Sequence, residues 1–165
     1  MLLLGWVVGK GATPVDDWFH RYWDSPARRL ADVTNPHVLV VVLLVVLSVA
    51  VYRRRWRLVV ATPLAPIVGI VFVRMLKPVF GREKGGGLAY PSGHVTTLVV
   101  VAGLVVLVTG CAWWAVVAAI AAIVMGMIGV GITFHYFTDT VGGLLLGSAI
   151  VCVVALTSGH ASLRT

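Results

Sequence analysis

An all-α bundle of membrane-spanning helices is the fold class the sequence predicts, and three observations predict it. Apolar residues make up 59% of the 165 and charged residues only 12%, with a mean hydropathy of +1.00; a soluble domain carries roughly 25% charged residues. The apolar residues are gathered in runs comparable to the about 20 residues that cross a bilayer as a helix. The charges collect at the ends of those runs. Several spans consume most of a chain this long, so residues 1–165 form one membrane-embedded domain, with interfacial helices over 13–35 and a helical core over 37–165. The net charge of +7 comes from 13 Lys and Arg against 6 Asp and Glu. Because these cations sit at segment ends, lipid headgroups and topology account for them, and nucleic acid is set aside as a partner. Cys111 and Cys152, far apart and within or beside apolar runs, read as buried free thiols.

The first apolar stretch, Leu2 to Val8, is too short for a core of about 30 Å at about 1.5 Å per residue. It is either a partial sixth span or an interfacial anchor, and no cationic region precedes it as in a signal peptide. Thr13 and Pro14 then have the form of an N-cap and first helical residue, with Asp16 and Asp17 in the first turn. Val15, Trp18, Phe19, Tyr22 and Trp23 recur at helical spacing, which predicts an amphipathic helix in the interface, chiefly a shield for the bundle. Ser25-Pro26 opens a second short helix, and Asn35-Pro36 closes the segment.

Five spans follow. His37 to Tyr52 is apolar and ends at Arg53, Arg54, Arg55 and Arg57; Leu58 to Val73 ends at Arg74 and Lys77. Val95 to Phe134 is 40 residues without a charge, about 60 Å as one helix, so it must fold back. Thr109-Gly110 is the predicted turn, with Trp113 and Trp114 as belt residues. Thr140 to Thr157 is the last span, followed by a tail with Arg164. Four arginines in five residues, against four basic and four acidic residues over 10–35, place the Arg53 to Arg57 turn in the cytoplasm. Alternation then brings 77–94 and 135–139 to the outer face, together with Arg164 on the inner one.

On that outer face, Arg74, Lys77, Arg82 and Lys84 stand against Glu83 alone, where the positive-inside rule disfavours cations. They point to an anionic ligand. Pro91 opens a helix whose first N–H groups, near Ser92, Gly93 and His94, suit a phosphate, and Gly93 admits it close to the backbone. His94 is a proton donor beside that cradle. His135 and Asp139, four apart, are predicted to share one helix face, the carboxylate fixing the imidazole tautomer as a nucleophilic or general-base histidine requires. An ionisable pair at the edge of a span is costly unless buried or used, which favours function over a structural pair.

Together these residues resemble the type 2 phosphatidic acid phosphatase family of integral membrane lipid phosphatases, over about 58–157. Its motifs are K-x6-R-P, P-S-G-H and S-R-x5-H-x3-D. Lys77 matches the first, Pro91-Ser92-Gly93-His94 the second, and His135 with Asp139 the third. Lys84-Gly85 replaces the Arg-Pro of the first motif, and Ile128-Gly129 replaces the Ser-Arg of the third, so one phosphate-binding arginine is missing; Arg82, or Arg74 one turn before Lys77, is the candidate replacement. The resemblance implies a metal-independent, cofactor-free reaction at the extracytoplasmic face of a bacterial plasma membrane. His135 is then the nucleophile, Asp139 its orienting partner, His94 the acid, and Lys77, Arg82, Lys84, Ser92 and Gly93 the phosphate holders, with Gly85-Gly86-Gly87 closing a loop over the headgroup. The implied substrates are polyprenyl diphosphates, phosphatidylglycerophosphate or phosphatidate. Two alternatives stand beside it: a member that binds or helps transport anionic lipid heads without turnover, and a metal hydrolase with His94, His135 and Asp139 as ligands.

Overall fold

The computed structural model describes residues 1–159; the Arg164 tail lies outside them. The described chain is helical but for one β-hairpin. In order it comprises α1 (Leu2–Val8), α2 (Pro14–His20), a 3-10 segment (Pro26–Thr34), α3 (Pro36–Tyr52), α4 (Trp56–Phe80), β1 (Glu83–Lys84), β2 (Gly87–Leu88), α5 (Gly93–Val108), α6 (Trp113–Ile132) and α7 (Phe137–Thr157). Local chemistry sets several of these limits. Thr13 and Asp16 form a reciprocal capping box at the start of α2, Pro14 following as first residue. The Asn35 side chain accepts from the His37 N–H where α3 begins. Gly81, at φ 58°, takes the left-handed cap that ends α4. The predicted fold-back occurs at Thr109-Gly110, with Trp113 and Trp114 exposed beyond it.

Among the described residues, three helices are long and apolar enough to cross a membrane: α4, α6 and α7. A fourth arises if the 3-10 segment and α3, bent by 41° at Asn35, count as one span. The five full-length spans expected from sequence are thus not all found, because α3 and α5 have 17 and 16 residues. For α5 the reason is its place. It packs against α3, α4, α6, α7 and the 3-10 segment, and Val95, Thr96, Leu98 to Ala102, Leu104, Leu107 and Val108 are all buried. A post enclosed by protein has no lipid-facing stripe whose length must match the bilayer. Cys111 and Cys152 are free as expected but exposed rather than buried.

The contact between α5 and α7 sets up everything at the end of the bundle where these two helices begin. On α7, Gly143 and Gly147 sit one turn apart against Ser92, Thr96 and Val99 of α5, so close that a Cβ at Gly143 would lie 2.6 Å from the Ser92 carbonyl and one at Gly147 2.7 Å from Val99 Cβ. Small residues four apart allow this approach between membrane helices. At the other end, Arg53 and Arg55 donate to the Val108 and Leu107 carbonyls that close α5, and Arg57 to the Thr157 carbonyl of α7. Cations there complement the negative helix termini. α1 lies at the end of the bundle where α5 begins, held by the Tyr90 hydroxyl donating to the Met1 carbonyl at 2.7 Å and by Gly5 against Phe80 and Tyr90.

Candidate active site

The glycine seam brings the N-termini of α5 and α7 side by side. Ser92 is fully buried as the N-cap of α5, its N–H donating to the Asp139 carbonyl at 3.0 Å. Gly93 and His94 follow as first-turn residues, whose N–H groups have no partner within a helix. The His94 ring is exposed, stacks on Phe134 at 5.3 Å between centroids, and meets His135 edge to face at 5.7 Å.

His135 and Asp139 do meet, but not on one helix face. α6 ends at Ile132, and His135 lies in the connection, its N–H donating to the Val130 carbonyl. Asp139 is in the first turn of α7, where its Oδ2 accepts the Tyr136 N–H at 3.0 Å. Because the carboxylate caps its own helix, it stands where the preceding turn delivers the imidazole. His135 Nδ1 is 3.7 Å from Asp139 Oδ2, buried and without a hydrogen bond. That is beyond hydrogen-bond length, and such bonds are often long before substrate is bound.

Arg82 is not where a phosphate cation was expected. Its side chain is fully buried, with Nη1 donating to Asp139 Oδ1 at 2.8 Å and Thr138 Oγ1 at 2.6 Å, and Nη2 to Asp16 Oδ2 at 2.7 Å and the Gly11 carbonyl at 2.9 Å. The guanidinium also covers the Tyr136 ring at 4.4 Å. Both terminal nitrogens are committed, and only Nε lacks a partner. Arg74 is exposed on α4 and forms no ion pair among the described residues. Lys77 and Lys84 are half-buried and lean inward, donating to the Leu88 and His135 carbonyls at 2.6 Å each. An ammonium has three protons, so each retains two for an anion. Burial pushes the Lys84 pKa down, opposed by the charges of Asp139 and Asp16 and assisted by that of Arg82. The glycines after Lys84 form no open loop: Gly85 and Gly86, at φ 59° and 81°, make a tight two-residue turn between β1 and β2.

Asp16 is the participant that sequence reasoning missed. Only 2% exposed, it accepts from Thr13, from the Thr138 N–H and hydroxyl, and from Arg82. Burial disfavours its charge, but the hydrogen bonds from Thr138 and Thr13 outweigh that and hold its pKa below the usual value. The available signal was position. Phe19, three residues on and hence on the same face of α2, stacks on Phe137 of α7 at 3.9 Å, so this face is a docking face rather than a shield.

Gly129, where the resemblance calls for arginine, has a steric explanation. A Cβ there would run into the backbone of Leu30 and Ala31. The 3-10 segment occupies the space an arginine would need. Beside the two imidazoles, a groove of about 610 Å³ lies between His20 and Trp23 on one side and Lys84, Gly85, Thr133 and Phe134 on the other. Among the described residues no three His, Cys, Asp or Glu side chains are grouped as a metal site; two oxygens of Asp139 already face Arg82 and Tyr136. Comparison with protein-family models, curated proteins and solved structures finds no match to this chain.

Proposed function

We propose that this protein is an integral membrane phosphatase that hydrolyses the phosphate mono- or diphosphate ester of a lipid through a phosphohistidine, in the manner of the type 2 phosphatidic acid phosphatases. The observation that carries the reading is the pair of imidazoles 5.7 Å apart, one exposed and one backed by a carboxylate 3.7 Å from its buried Nδ1. With Nδ1 turned to Asp139, Nε2 of His135 is the nitrogen that attacks phosphorus. As the P–N bond forms, the bond from phosphorus to the lipid oxygen breaks, and His94 gives that oxygen its proton. His94 then takes a proton from water, whose oxygen displaces His135 and releases inorganic phosphate. Asp139 stabilises the imidazolium that develops in the first step. Lys77, Lys84 and the first N–H groups of α5 hold the equatorial oxygens, and the groove beside Lys84 takes the remainder of the polar head.

In this reading all five of α3 to α7 cross the bilayer, the Arg53 to Arg57 turn faces the cytoplasm and the site faces outward, in a bacterial plasma membrane. Polyprenyl diphosphates, phosphatidylglycerophosphate and phosphatidate are the substrates of choice. The test is phosphate release from a prenyl diphosphate and from phosphatidate by detergent-purified protein in excess EDTA, with His135→Ala alongside. Release should survive EDTA and vanish in the variant, and acid-labile phosphate should be trapped on wild type alone. Release lost in EDTA would favour a metal centre instead. Binding of these lipids without release would favour a carrier of anionic heads.

A further inference from the structure

We infer that Asp16, acting through Arg82, is a positioning residue for the His135–Asp139 pair, so that α2 is a working part of the site rather than a cover for it. This rests on the proposed role of His135 as nucleophile. Three carboxylate and guanidinium groups, all essentially buried, lie in a row: Asp16 bonded to Nη2 of Arg82, and Nη1 of Arg82 to Asp139. Thr138 stitches the row together, its hydroxyl accepting from Arg82 and donating to Asp16. A guanidinium is planar, so fixing one terminal nitrogen fixes the direction of the other. Asp16 thereby aims Nη1 at Oδ1 of Asp139. With Oδ1 held there and Oδ2 held by the Tyr136 N–H, the carboxylate stands 3.7 Å from Nδ1 of His135. Less than about 1 Å of approach closes that gap to a hydrogen bond.

Charge gives the arrangement a signature. Two carboxylates share one guanidinium, leaving an excess negative charge beside His135. The other groups that face the pair are Lys77 of α4, Lys84 of β1, Tyr90 before α5 and His94 of α5, and all stay unchanged in the variants below. Asp16→Asn leaves Arg82 with one carboxylate, so the imidazolium form of His135 loses support. Arg82→Gln leaves two carboxylates with no cation, and the imidazolium form gains support. The double variant restores the balance and brings it back toward wild type. A residue that merely supports the fold predicts no such opposite signs.

The experiment is an NMR titration of the His135 ring in detergent micelles for wild type, Asp16→Asn, Arg82→Gln and the double variant, with kcat and KM for lipid phosphate hydrolysis on the same samples. The expected result is opposite displacement in the single variants and recovery in the double. In Asp16→Asn, kcat should fall by about 100-fold, as for a displacement of about 1 Å at a reacting group, with KM unchanged. Equal His135 titration in wild type and Asp16→Asn overturns the inference, as does a rise in KM alone, which would make Arg82 a phosphate ligand. The NMR arm needs no turnover: the expected displacements without any hydrolysis would uphold the coupling and sink the phosphatase reading. Thr138→Val keeps every charge but cuts the hydrogen bonds that align the row, and it substitutes for a charge variant that does not fold; a kcat equal to wild type in it would likewise overturn the inference.

Discussion

Gly129→Ala is the smallest change that tests why residue 129 is glycine where the resemblance calls for arginine. A Cβ at 129 would lie 2.7 Å from the Ala31 Cα and nearer still to the Ala31 nitrogen and the Leu30 carbonyl carbon. Ordinary contact begins at 3.4 Å. The Ala31 Cα alone demands a withdrawal of about 0.7 Å by the 3-10 segment and the two nearer atoms demand more, and no side-chain rotation relieves it because every obstructing atom is backbone. Ala31 packs with Val95, Val99 and Val130, so withdrawal also opens that cluster. Overpacking of this kind costs about 1–3 kcal/mol, which at roughly 2–4 °C per kcal/mol for a chain of this size lowers Tm by about 2–12 °C. The assay is thermal unfolding of the purified protein in one detergent, followed by tryptophan fluorescence. Gly129→Arg, which completes the motif on paper, should lower Tm further and should not raise phosphate release. An unchanged Tm in Gly129→Ala, or faster turnover in Gly129→Arg, would refute the claim that the 3-10 segment excludes a side chain there.

Two further outcomes are expected. Gly143→Val would push a branched side chain onto the Ser92 carbonyl and the Thr96 N–H, 2.6 and 3.2 Å from the first added carbon, and so part α5 from α7; a loss of about 1–3 kcal/mol in stability should come with weakened release, measured by melting and by the phosphate assay. Burial, with the Asp139 charge next, pushes the Tyr90 hydroxyl up to about 12, against smaller opposing effects of Arg82 and a backbone hydrogen bond. The folded protein therefore holds this proton where the unfolded chain gives it up. Tyr90's contribution to stability is complete below pH 10 and is lost as pH rises toward 12, and Tyr90→Phe should remove that part of the alkaline decline in Tm.

Much of the layout of the candidate site could be read in the sequence because its determinants are local. Ser92 caps α5, Gly93 and His94 follow in the first turn, and Asp139 lies within reach of His135, each through neighbours a few residues away. What was misjudged depended on distant partners. The spacing of His135 and Asp139 suggested a shared helix face, but an acid at the third position of a helix caps its own N-terminus, and this moved the histidine into the preceding turn. Arg82 carried the charge of a phosphate ligand, yet its direction is decided by Asp16, 66 residues away. Hydropathy likewise registers that 95–108 is apolar but not that protein encloses it, so the shortness of α5 was hidden. The same blindness put Cys111 and Cys152 in the interior, when apolar surface in a bilayer needs no cover.

The bonds that complete the candidate site have an implication for biogenesis. Asp16 reaches Thr138 across 122 residues and Arg82 reaches Asp139 across 57. Helices leave the ribosome from the N-terminus onward, so Asp16 is synthesised long before the residues it must hold. Arg82 also precedes α7, which supplies its second carboxylate. A chain that ends before residue 135 contains neither His135 nor its orienting carboxylate, and the carboxylate is fixed beside Arg82 only when the final helix docks along the glycine seam. Under the proposed function, each molecule stays chemically silent until its insertion is finished.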